Sequence, residues 1–159
     1  MQTENLTSIL RNHPFLADVS DRHMEILLGC ASNTHFPEGS TLVQEGQIAN
    51  KFYLIREGRV ALETDVIGRG RMRIQTVGPG DVLGWSWLIS PFRLHFTGTA
   101  VSDVRAVALD GECLRKKCEN DHDLGYEILS RLSQVIERRL EGTRMQLLDL
   151  YTTSSEAGM

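Results

Sequence analysis

What this chain has little of narrows its class first. No apolar run approaches the roughly twenty residues that a membrane-spanning helix needs, so no membrane association is expected. The N-terminus, Met1-Gln2-Thr3-Glu4-Asn5, lacks the basic and apolar segments of a secretion signal, and a cytoplasmic location is the default that follows. Positive charge is not in excess: 17 Lys and Arg stand against 21 Asp and Glu, a net charge of -4. That balance leaves no electrostatic footprint for nucleic acid, and DNA binding by this chain is not expected. Cysteine is scarce and odd in number. Without a secretion signal, Cys30, Cys113 and Cys118 argue against a disulfide framework and for reduced thiols packed as small hydrophobes.

Catalytic signatures are also missing. There is no Gly-x-Ser-x-Gly elbow, no phosphate-binding P-loop and no pair of carboxylates in a plausible cleft. Cys113, Cys118 and His122 lie close in sequence, but four residues between the cysteines is not zinc-knuckle spacing and no fourth ligand is evident. None of His13, His23, His35, His95 and His122 is singled out as a haem ligand. The expectation is a non-enzyme with no metal and no cofactor.

What is present is an ordinary globular balance: 159 residues, 41% hydrophobic and 24% charged, enough for one domain with an appendage and no linker or repeat. Residues 1–35 read as N-terminal helices. Leu6, Ile9 and Leu10 suggest a first helix broken near Pro14. Ser20 is a plausible N-cap for a second, with Asp21 in its first turn and Met24, Leu27, Leu28 and Ala31 on one apolar face. Residues 36–110 change to short apolar runs separated by glycine turns, the pattern of a sandwich or barrel. Glu57-Gly58 reads as a tight hairpin and Gly68-Arg69-Gly70 as the tip of another, with Met72 and Ile74 alternating beyond it.

Residues 111–151 return to helix, and 152–159 read as a polar tail. Asn120 is the expected cap of the last helix, aided by Asp121 and Asp123 and ending near Tyr151. Ile128, Leu132 and Val135 form one stripe on it. Leu129, Ile136, Leu140, Thr143, Leu147 and Leu150 form another at largely heptad spacing. Two stripes call for two neighbours: the β-region and a second helix. Gly142 costs that helix about 1 kcal/mol relative to Ala, tolerable in a packed helix. Arg138-Arg139 and Lys116-Lys117 read as solvated basic pairs, with Glu137 and Glu141 interleaved.

Three glycine-punctuated segments carry a family resemblance: Phe36-Pro37-Glu38-Gly39-Ser40-Thr41-Leu42, Phe52-Tyr53-Leu54-Ile55-Arg56-Glu57-Gly58-Arg59-Val60 and Gly78-Pro79-Gly80-Asp81-Val82-Leu83-Gly84. With the long helix that follows, the chain resembles the cyclic-nucleotide-binding sensor domains of the Crp/Fnr transcription regulators over roughly Leu16 to Leu150. The resemblance implies an eight-stranded jelly roll, or double-stranded β-helix, with flanking helices and a long C-terminal dimerisation helix. The helix-turn-helix domain that follows in those regulators is not found in this sequence, and the cysteine cluster of the oxygen regulators is absent.

By the resemblance, the ligand-binding segment covers Gly84, Trp85, Ser86, Trp87, Arg93, Leu94 and His95. In the family a Glu right after the last Gly accepts from the ribose, and an Arg some ten residues on pairs with the phosphate. Those positions here hold Trp85, whose indole donates but cannot accept, and Leu94. A buried charge left without its partner costs about 3–5 kcal/mol, at least two decades of affinity, so cyclic nucleotide binding should be weak or absent. Arg93, one place early, is the alternative grip, and His95 the next polar candidate.

Alternation puts Leu94, Phe96, Gly98 and Ala100 on one face and Arg93, His95, Thr97 and Thr99 on the other. If the first face points inward the pocket is apolar, and Trp85, Trp87 and Phe92 either fill it or line it for an apolar or aromatic effector. The expected function is a stand-alone regulatory sensor that acts through a homodimer, formed by Ile136, Leu140, Thr143, Leu147 and Leu150, and through an unidentified protein partner. A genuine cyclic AMP or cyclic GMP sensor using Arg93, and a fragment of a Crp/Fnr-type regulator, are the alternatives. A cupin-like enzyme shares the jelly roll, but no His-x-His pair supports it.

Overall fold

In a computed structural model that describes residues 2–157, two four-stranded antiparallel sheets face each other and helices close the ends. Helix α1 (Gln2–Asn12) leads through a short 3-10 turn at Pro14–Leu16 into α2 (Asp21–Leu28). Eight strands follow: β1 (Ala31–Phe36), β2 (Thr41–Val43), β3 (Lys51–Glu57), β4 (Val60–Val66), β5 (Gly70–Val77), β6 (Val82–Leu83), β7 (Thr97–Ala100) and β8 (Val104–Asp110). The chain ends in α3 (Gly111–Asn120) and α4 (His122–Ala157). The sheets run β1-β8-β3-β6 and β2-β7-β4-β5, the expected jelly roll.

Several boundaries differ from the sequence reading. Strand structure begins at Ala31, not Phe36, because residues 31–36 pair in full register with β8. Ala31 is therefore strand and not part of the α2 face. Ser20 does cap α2, its hydroxyl accepting from His23 N. Glu57-Gly58 is not a hairpin: β3 pairs with β6 and β8, whereas β4 pairs with β5 and β7, so this dipeptide carries the chain from one sheet to the other. Only glycine fits there, since its φ is +87° and an added Cβ would lie 2.1 Å from Asp103 O. The hairpin expected at Gly68-Arg69-Gly70 is present, closed by Arg69 N donating to Val66 O. The cap of α4 is Asp121, whose carboxylate accepts from Leu124 N, rather than Asn120, which ends α3. The helix continues past Tyr151 into the expected tail, to Ala157.

Cys30 and Cys113 form a disulfide, contrary to the expectation of reduced thiols, and Cys118 is free. The reason is the β1–β8 ladder. Pairing Ala31 with Leu109 places the residue before β1 beside the start of α3, and Asp110 N donates to Cys30 O at 2.9 Å. Two cysteines 83 residues apart thereby meet, a proximity that sequence spacing does not reveal.

One apolar core runs between the sheets and under the helices. Phe52, Leu54, Ile55, Val60, Leu83, Val104 and Ala106 are buried from the strands, and Leu124, Ile128, Leu132 and Val135 from the inner stripe of α4. Polar latches fasten the N-terminal helices to that stripe. Arg131 donates to Phe15 O and pairs with Glu127 at 3.1 Å, and Glu127 also accepts from His23. His13 is buried with both ring nitrogens used: Nδ1 accepts from Phe15 N and Nε2 donates to Ile55 O. Burial lowers its pKa below the usual 6.5, against the opposing pull of that carbonyl and of Asp81. Among the described residues no helix is long and apolar enough to cross a membrane.

Candidate functional site

Strand β6 ends at Gly84, whose φ of +86° and close approach to Lys51 O, 2.8 Å from where a Cβ would sit, admit no side chain without strain. That turn throws Trp85-Ser86-Trp87 into a single 3-10 turn. From there the chain passes a cis Ser90-Pro91 bond and reaches Phe92 at φ +61°. It then runs beside residues 46–49: Ala49 N donates to Phe92 O, Leu94 N to Gln47 O and Gly46 N to Leu94 O. Helix α3 holds the segment from outside. The Arg115 guanidinium donates to Trp87 O at 2.6 Å and lies 4.4 Å from the centre of the Phe92 ring.

The seven residues expected to form one ligand grip are dispersed. Trp87 is fully buried, packed against Phe52 with ring centres 5.9 Å apart, so it serves the core. Ser86 is buried beside it. Arg93 is exposed and spends an Nη–H on Gly46 O at 3.1 Å. Leu94 is buried but lines a different cavity, of about 370 Å³, with Tyr53, Lys51 and Ile48. His95 is exposed. The expected inward face is correct for Leu94, Gly98 and Ala100, but Thr97 is buried as well, its hydroxyl accepting from Glu45 N.

Trp85 alone among them faces a pocket against α4. That cavity, of about 250 Å³, is lined by Leu62, Ile74, Trp85, Phe96, Ile136 and Leu140, with Gln75, Arg139 and Thr143 as its polar side chains. Trp85 and Phe96 meet edge to face, centres 6.2 Å apart. The Arg139 guanidinium lies 4.5 Å from the Trp85 ring centre and donates through one arm to Val82 O. Its Nη1 is buried with no acceptor. Desolvation lowers the pKa of Arg139 to about 10, with Asp81 pulling it up and Arg138 down. It remains a cation at neutral pH.

Arg139 is the residue that sequence reasoning missed, having grouped it with Arg138 as a solvated pair. A signal was available: Arg139 follows Ile136 by three positions and precedes Thr143 by four, which puts it on the flank of the outer apolar stripe. The remainder of that stripe is open in this chain, with Leu140 68% and Leu150 66% exposed. Among the described residues no group of three or more His, Cys, Asp and Glu could hold a metal ion.

A family model described as Cyclic nucleotide-binding domain matches residues 33–121, more than half of the chain, from within β1 to the end of α3. The chain belongs to that family. Within the cyclic nucleotide-binding domains, it is 32% identical over 118 residues to the CRP-like cAMP-activated global transcriptional regulator of Mycobacterium tuberculosis, which covers 74% of this chain and 51% of the relative. The chain thus spans about half the length of the curated relatives it matches. Two solved structures share the architecture. A candidate cyclic nucleotide-binding protein of Geobacter metallireducens matches with 26% identity and a TM-score of 0.76, over 88% of this chain and 98% of that one. A cyclic nucleotide-binding domain from Methylobacillus flagellatus, 22% identical with a TM-score of 0.77 over 93% and 83% of the two chains, shares the fold.

Proposed function

We propose that this cyclic nucleotide-binding domain is a regulatory sensor and not an enzyme, whose pocket state is passed through α4 to a homodimer surface and from there to a protein partner. One observation carries the reading: Ile136, Leu140 and Thr143 line the pocket and also belong to the open stripe of α4. A ligand touching these residues changes the free energy of the dimer surface directly, and coupling of this kind requires differential contact with two states. Continuous with them, Leu147 and Leu150 are 50% and 66% exposed, apolar area that a paired helix would bury. The double variant Leu147→Asp, Leu150→Asp should sediment as a monomer where the parent sediments as a dimer; an unchanged dimer would remove α4 pairing from the mechanism.

Cyclic nucleotide is the ligand of the family, and the site argues for a modified preference. Trp85 stands where an acceptor for a ribose hydroxyl is expected, and Arg93 is bonded to Gly46 O and is not among the residues lining the pocket. Calorimetric titration with cyclic AMP and cyclic GMP should show weak or no heat. Saturable micromolar binding abolished by Arg93→Ala would restore the sensor reading based on Arg93. No DNA binding is proposed for these residues.

A further inference from the structure

Arg139 is a cation drawn out of water with no carboxylate of the described residues in contact, Asp81 acting on it only from beyond ion-pair distance. Its Nη2 is on the Val82 carbonyl, its face is on Trp85, and its Nη1 is buried and unpaired. A desolvated charge in that condition is costly, and the cost is relieved by an anion brought into contact with it. The adjoining cavity states what else that anion must carry. Its walls at Leu62, Ile74, Phe96 and Ile136 are apolar, and the Trp85–Phe96 edge-to-face pair offers an aromatic surface to a third ring. At about 250 Å³ the space suits a molecule of one or two rings. Besides Arg139 the polar lining groups are Gln75, Thr143 and the Trp85 indole N–H, too few to satisfy the several hydroxyls and ring nitrogens of a nucleotide.

We infer that this cavity takes a small aromatic acid, its carboxylate on Arg139 and its ring against Trp85 and Phe96. The inference rests on the sensor reading above and names the chemical class that sensor detects. An aromatic acid would occupy the flank of α4 at Ile136 and Thr143, so the same contacts that bind it would reach the dimer stripe. A carboxylate from a second copy, reaching the same guanidinium across a dimer, is the competing occupant.

The test is a titration of the full chain with phenylacetate, benzoate and indole-3-acetate, each beside its neutral amide. Calorimetry serves for all, and tryptophan emission for the two ring systems that do not themselves fluoresce as indole. At least one acid should bind saturably and quench Trp85, while its amide binds at least tenfold more weakly. Arg139→Gln should erase that preference, and Arg139→Lys should keep part of it. Equal binding of acid and amide would overturn the role of Arg139, and so would binding unaffected by Arg139→Gln. No binding by any acid would overturn the inference outright. The same experiments on the Leu147→Asp, Leu150→Asp variant separate the occupants: acid binding that appears only when the helix pair is broken assigns Arg139 to a partner carboxylate and overturns the small-molecule site. Saturation by cyclic AMP with silence from every acid would overturn the ligand class and leave the sensor reading standing. A parent chain that is already monomeric would sink the dimer relay independently.

Discussion

Trp85 and Trp87 stand two positions apart in the same 3-10 turn, and they do opposite work. Trp87 points into the roll, where its ring meets Phe52 at a tilt and Phe52 in turn meets Phe15 edge to face. It is fully buried, and α3 is set against it so closely that a Cβ on Gly111 would come within 2.9 Å of the Trp87 Cβ. Trp85 points the other way, to a pocket with one wall on the sheet and one on α4. Bulk facing the core is structure; the same bulk facing a joint between elements is available for recognition. The sequence reading gave both indoles one role because a 3-10 turn separates side-chain directions that a linear motif cannot resolve.

The comparison can be broken from either side. The largest effect should come from Trp87→Ala, with a loss of about 3–5 kcal/mol in urea unfolding for removal of a buried aromatic ring. Trp87→Phe should cost clearly less, because it also removes an indole N–H that is buried without an acceptor. Arg115→Ala comes next. It frees the Trp87 carbonyl and the Phe92 face, and a charge-assisted bond of this type is worth about 1.5–3 kcal/mol, read by the same unfolding curves. Trp85→Ala should change stability by no more than about 1 kcal/mol while removing the emission that responds to pocket ligands; a loss as large as that of Trp87→Ala would erase the distinction between the two indoles.

The smallest effect is an acid dependence on the Trp87 side. His13 holds Phe15 in place, and its pKa is lowered in the folded chain chiefly by burial. The unfolded chain therefore binds the proton more readily than the folded one. The contribution is complete above the ordinary histidine pKa of about 6.5 and is lost as pH falls below it toward the lowered folded value. Melting temperature should decline with acidification through this range, and the slope should flatten in His13→Gln; an unchanged slope would assign the acid sensitivity elsewhere.

How much was legible follows from which signals are local. The N-cap at Ser20, the hairpin at Gly68-Gly70 and the inner stripe of α4 each rest on residues within a few positions of one another, and each is present in the structure. The eight-strand roll came from the family resemblance, and spacing alone left sandwich and barrel open. Long-range pairings were not legible. Glu57-Gly58 looks like a hairpin in sequence, and only the partners of β3 and β4 in separate sheets reveal a crossover. The disulfide depends on the β1–β8 ladder, and the unpaired cation depends on α4 folding back over the end of β6. For Arg139, adjacency to Arg138 hides the fact that consecutive residues on a helix point about 100° apart, one toward solvent and the other toward the sheet.

The Cys30–Cys113 bond encloses residues 31–112, so all eight strands lie on one covalent ring while α1, α2 and α4 hang outside it. Both exits from the ring are side by side. A protease that cuts at the exposed tip of the β4–β5 hairpin, where Ile67 and Arg69 face solvent, would open the ring without releasing anything. In denaturant the nicked chain would keep its full mass until a reductant parts the sulfurs, and only then would it run as two pieces, one carrying the N-terminal helices and the other the pocket's arginine.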